Sequence, residues 1–153
     1  MPNRETHRPV GMALGGAYAA WCAQTEPGDR IAFEALGGVA GGWLGAALPD
    51  WIDPPVCPDH RHFGHGAANV IGAVWVSADA MLDIQQRLRR RADRLARQRP
   101  FLESDLARFL NWLEECMLRF LAGLLNGLVA GYLSHLFLDA LTARGIPFFA
   151  RGC

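Results

Sequence analysis

Apolar residues gather in four stretches, at 10–22, 31–48, 67–82 and 118–141, separated by segments rich in proline, glycine and charge. No stretch alternates apolar and polar with a period of two, and the lengths suit helices. Pro9 fits a first helical turn and opens a helix over 9–22. Pro27, Gly28 and Asp29 mark a turn, after which a second helix runs over 31–48 and stops before Pro49. A loop over 50–62 holds Pro54, Pro55 and Pro58. A third helix starts near His65, runs toward Leu82 and can continue into an arginine-rich run over 83–99 that Pro100 breaks. Beyond it, Phe101, Leu102, Leu106, Phe109, Leu110, Leu113 and Met117 form an apolar stripe opposite Glu103, Asp105, Glu114 and Glu115. That amphipathic helix merges into the long apolar one, which ends near Ala143. The expected fold is a single all-α domain over 1–153. It is a four-helix apolar bundle, membrane-embedded, with an inserted amphipathic arginine-rich excursion over 83–117.

Only 118–141 is long enough to span a bilayer comfortably, and it carries Asn126, His135 and Asp139; the second helix carries Glu34. A membrane bundle and a very apolar soluble bundle therefore both remain open. Glycine spacing favours the membrane. Gly11 and Gly15 are four apart, as are Gly37, Gly41 and Gly45, and again Gly123, Gly127 and Gly131. Each costs a helix up to about 1 kcal/mol against alanine. Small residues at this spacing let backbones approach closely where lipid removes the hydrophobic drive.

The 153 residues suit one core. Formal net charge is zero, so no bulk field draws the whole chain to nucleic acid. Cys22, Cys57, Cys116 and Cys153 form no close pair, which argues against zinc ribbons and redox motifs. The polar start, followed by an apolar run without a clean cleavage pattern, does not read as a cleavable signal. The arginine run reads as a solvated helix face, as a contact for anionic lipid headgroups, or as a site for a protein partner on 83–117. A lone basic helix without interleaved aromatics is weak evidence for nucleic acid. No feature of the sequence fixes an oligomeric state. The positive-inside rule puts the arginine run in the cytoplasm.

The five histidines fall in three places. His7 precedes the first helix. His60, His62 and His65 stand in DHRHFGHG before the third. His135 stands in SHLFLD on the last, four residues before Asp139, so both side chains share a helix face. Asp50 and Asp53 stand in LPDWID after the second helix. If the helices alternate in direction, His7, Asp50, Asp53, His60, His65, His135 and Asp139 all meet at one end of the bundle. Imidazole and carboxylate together suit zinc first, and manganese or iron as alternatives. Ionisable groups deep in an apolar helix are costly and mark function.

Thr6-His7-Arg8, LPDWID, HRHFGHG and GYLSHLFLDALTARGIPFF, in that order, resemble the TH, LPDxD, HRxxTHS and GYxSHLxLDxxTxxGxxxF pattern of the membrane-bound metal-dependent hydrolases. That family includes LexA-binding, inner-membrane-associated hydrolases. The resemblance covers Thr6 to Phe149, with the excursion as its variable part. It implies a bacterial inner-membrane location and a polar site of His7, Asp50, Asp53, His60, His65, His135 and Asp139. One departure is Gly64-His65-Gly66, where the family has hydroxyls on both sides of the histidine. The expected activity is metal-assisted hydrolysis of a phosphoester or lipid-like substrate, with Asp53 taking a proton from water and Arg61 binding an anionic group. The rival is a non-catalytic membrane or interaction protein in which the same groups form a structural clip.

Overall fold

In the computed structural model, residues 4–52 and 67–141 are described. Four helices account for nearly all of them: α1 (Arg4–Cys22), α2 (Gly28–Ile52), α3 (Ala67–Gln98) and α4 (Asp105–Ala140), with a short 3-10 turn at Arg99–Phe101 between the last two. The fold is all-α, as the periodicity implies.

Two helices run further than their prolines suggest. α1 takes in the residues before Pro9, so that His7, Gly11, Gly15 and Ala19 form one buried face. α2 runs through Pro49 to Ile52 instead of stopping before it. Pro49 has no N–H to give the Gly45 carbonyl, but the groups of the following turn still close the helix, and Pro49 itself is buried. The excursion is continuous with the bundle helices, as the sequence pattern allows. The arginine run is the second half of α3, the amphipathic segment is the first half of α4, and the turn at Arg99–Phe101 joins them as a hairpin. Ser104 caps α4 by accepting from the Ala107 N–H at 3.2 Å.

α2 lies between α1 and α4, α1 also touches α4, and α3 rests on α4. The glycines make the α1–α2–α4 contact possible. An ideal Cβ on Gly42 would run into the backbone of Gly11, and one on Gly131 into the backbone of Gly42. Gly38 is held the same way between Gly15 and Gly127. The backbones themselves are in contact along this seam, and any larger residue would push the helices apart.

The burial pattern is inverted relative to a water-soluble bundle. The buried apolar residues are mostly small, such as Ala19, Ala46, Ala92 and Ala122, and they share the interior with Glu34, Arg119, Asn126, His135 and Asp139. The large apolar residues point outward: Leu36 and Trp51 on α2, and Leu106, Phe109, Leu113, Met117, Leu133 and Phe137 on α4. Water would penalise so much exposed apolar surface, whereas lipid accepts it. α2 and α4 are both long and apolar enough to cross a membrane. Trp112, edge-on to Phe33, marks one level of the bundle, and Trp43, edge-on to Trp51, marks another. Phe33 and Trp51 are about 27 Å apart at 1.5 Å per residue along α2, close to the thickness of a hydrocarbon core.

Candidate functional site

The inward face of α4 is polar at both ends and small between them, and the two ends differ in chemistry. At the end formed by the α1–α2 turn, Glu34 is fully buried. It accepts from Arg89 through Nε at 3.1 Å and a terminal nitrogen at 2.6 Å, and from Arg119 at 3.3 Å. Arg119, also fully buried, reaches on to Asp93 and to Glu26. Arg30 joins Glu26 at 3.1 Å, Asp93 at 3.5 Å and Glu115 at 2.9 Å, and Arg99 closes the set on Glu115. Four acids thus meet four guanidiniums, so charge balances within the cluster. Burial alone would push the Glu26 carboxyl up, but Arg30 and Arg119 hold it below the usual carboxylate range. One step inward, Gln85 donates to Asn126 at 2.8 Å.

The other end gathers imidazoles and carboxylates. His7 is brought in by the first turn of α1, Asp50 by the turn after Pro49, and His135 and Asp139 by successive turns of α4. The rings of His7 and His135 stack with centroids 3.9 Å apart. His7 Nε2 lies 3.6 Å from one oxygen of Asp139, and His135 Nε2 lies 3.8 Å from the other. His135 Nε2 also lies 3.7 Å from Asp50. One donor atom each from His7, His135 and Asp139 fall within 4.8 Å of one another, and all three residues are buried.

A backbone contact fixes how His135 presents itself. Its Nδ1 lies 2.7 Å from the Ala46 carbonyl. A carbonyl only accepts, so Nδ1 carries the hydrogen, and the neutral ring offers the Nε2 lone pair to the side where the carboxylates lie. This is how histidine ligands are oriented in metal sites. Donors around a tetrahedral ion with bonds of about 2.0–2.1 Å sit roughly 3.4 Å apart; the His–Asp separations of 3.6 to 3.8 Å approach this, while the three-residue set spans up to 4.8 Å and the stacked rings must tilt apart before both lone pairs meet one ion. Two imidazoles and two carboxylates form a set that fits zinc, manganese or iron.

The chain order expected from the sequence thus brings His7, Asp50, His135 and Asp139 together. Asp53, His60, Arg61 and His65, with His62 and Cys57, lie outside the described residues. Sequence reasoning missed three parts of this end. The Ala46 carbonyl has no side-chain signature. Arg8 lines the recess there, with its guanidinium 4.8 Å from the centre of the Trp43 ring. Trp43 carried no signal beyond being an aromatic in an apolar helix, and Arg8 none beyond adjoining His7.

The family model for the YdjM inner membrane protein matches residues 1–150 of the chain. The chain belongs to the YdjM inner membrane protein family. Membership and the two apolar helices locate it in the inner membrane. No curated protein and no solved structure matches the chain.

Proposed function

We propose that this YdjM-family protein is a membrane-embedded, metal-dependent hydrolase acting on a phosphoester or lipid-like substrate. The observation that carries the reading is the convergence of His7, Asp50, His135 and Asp139 from three helices, with His135 oriented by the Ala46 carbonyl. A divalent ion held there, zinc first and manganese or iron as alternatives, would polarise a phosphoryl or carbonyl oxygen and acidify water. The protein's own groups do the rest. His7, Asp50, His135 and Asp139 supply donors from helix ends that the glycine seam keeps in register. Asp53, three residues beyond Asp50, takes the proton from the attacking water. Arg61 pairs with an anionic group of the substrate. His60 and His65, from the segment preceding α3, complete the donor set. Lipids surround the bundle, and the arginines of the α3–α4 hairpin meet anionic headgroups or a protein partner on the far side.

The positive-inside rule then puts the hairpin in the cytoplasm and the site on the outer face of the membrane. Cys22 is exposed near the hairpin end, so in a variant that keeps Cys22 as its single cysteine a membrane-impermeant thiol reagent should reach it only after the cells are opened. Labelling in intact cells would reverse this orientation.

Hydrolysis is tested on detergent-purified protein with a panel of phosphomonoesters and phospholipids. Turnover should be lost on chelation, restored by zinc or manganese, and absent in Asp50→Asn and His135→Ala. The second reading, a non-catalytic membrane protein tied by a structural ion, draws on Gly64-His65-Gly66, which lacks the hydroxyls that flank this histidine in the motif the sequence resembles. A metal-loaded protein that turns over nothing in the panel and shows no exchangeable water on a bound manganese ion would favour that reading, because catalysis needs an open position.

A further inference from the structure

We propose that Arg8 forms a phosphoryl-anion subsite beside the histidine–aspartate cluster, with Trp43 as its platform. The role in turnover rests on the hydrolase reading; the binding itself does not. Arg8 borders the same recess as His7, Asp50 and Trp51, which is too narrow to admit a water, so an anion would meet the guanidinium at its mouth. Its guanidinium lies over the Trp43 ring at 4.8 Å, and its Nε is buried without a hydrogen-bond acceptor among the described residues. The contrast with the buried cluster at the opposite end is direct. Arg30, Arg89, Arg99 and Arg119 each meet at least one carboxylate there. Arg8 meets a π-face instead.

That difference matters chemically. A guanidinium lying on an aromatic face keeps its N–H groups in its own plane, directed outward at the edge, so the stack orients the fork without consuming its donors. Such a fork pairs bidentately with a carboxylate or a phosphoryl oxygen pair, and the aromatic level of the bundle, where lipid phosphates lie, favours the phosphoryl group. Charge points the same way. Among the described residues that line this recess, Arg8 is the one permanent cation. Its place beside the exposed Trp43 and Trp51 sets the fork at the aromatic level of the bundle, where phosphate groups lie. The anion is either a lipid phosphate or a free phosphoryl compound, and the two share this recognition chemistry.

The test uses full-length protein with its metal content measured in parallel. Inorganic phosphate is titrated by calorimetry into the wild type, Arg8→Lys and Arg8→Gln in detergent. Retention of phosphatidic acid against phosphatidylcholine is read by native mass spectrometry from mixed nanodiscs. Arg8→Gln should weaken anion binding about ten- to hundredfold, with Arg8→Lys between it and the wild type and metal content unchanged. Loss on inorganic phosphate identifies a free phosphoryl ligand; loss on phosphatidic acid alone identifies a headgroup. Equal binding of both probes by wild type and Arg8→Gln would overturn the proposal. If the wild type holds no metal, the hydrolase reading fails, while an Arg8-dependent phosphate affinity in that same protein would still uphold the subsite.

Discussion

The two polar ends of this bundle are built from different solutions to one problem, the burial of charge in an apolar setting. At the hairpin end, Glu34, Asp93, Glu26 and Glu115 are answered by guanidiniums from three helices and one turn. At the histidine end, Asp50 and Asp139 face imidazoles, which carry charge only when protonated. The first arrangement balances its charge internally and ties the helices together. The second has no permanent cation of its own among His7, Asp50, His135 and Asp139, which is what the proposed metal site requires. Between the ends runs the glycine seam, which has no chemistry of its own but sets the spacing of both.

The largest effect should come from widening that seam, because it breaks both ends together. Gly42→Leu puts a side chain where the backbones of α1 and α4 already touch α2. Folded, monodisperse protein should be lost, as size-exclusion chromatography in detergent would show. Next comes the hairpin end alone. Arg119→Ala leaves Glu34 and Asp93 short of a partner and should cost about 3–5 kcal/mol in thermal or denaturant unfolding, while metal bound per folded molecule stays the same. If metal falls with it, the ends are not independent and the comparison is wrong. Smaller still, His135→Gln loses the oriented imidazole but keeps most of its volume. In chelator, stability should drop by about 1 kcal/mol, the net worth of one buried hydrogen bond.

The smallest effect is that of Glu26, which is partly exposed. Its carboxyl is held below the usual range by Arg30 and Arg119, so its contribution is present above the unfolded value of about 4.3 and fades as pH falls through the lower folded value. Glu26→Gln should therefore be less stable than wild type near neutrality by under about 1 kcal/mol. The gap should close as pH falls from about 4.3 toward the folded value. A gap that widens on acidification would reverse the assignment.

Much of this was legible in the sequence. Glycine at four-residue spacing read correctly as backbone contact, and the order of His7, Asp50 and the His135/Asp139 pair placed them at one end once helices alternate. The rest was hidden for physical reasons. Pro9 and Pro49 read as helix limits because local sterics disfavour proline inside a helix, whereas tertiary packing keeps both helices going. The arginine run read as a solvated or lipid-facing surface, and Arg87, Arg90, Arg91, Arg94 and Arg97 do point outward. Arg89 turns inward to Glu34, however, a pairing 55 positions apart that no local pattern encodes. Glu34 inside an apolar helix and Arg119 at the head of another were the available signals. Each is costly alone in lipid, and two such residues of opposite sign invite pairing. The Ala46 carbonyl that orients His135 could not have been found, because backbone groups are the same at every position.

Elemental analysis of the purified wild type and of His135→Ala, prepared without chelator, tests the central claim most directly. Zinc, manganese or iron bound near one or two equivalents in the wild type and lost in the variant is the expected result. A folded wild type with no transition metal, or a variant that retains the full complement, would contradict it and leave the histidines as a structural network at the bundle end.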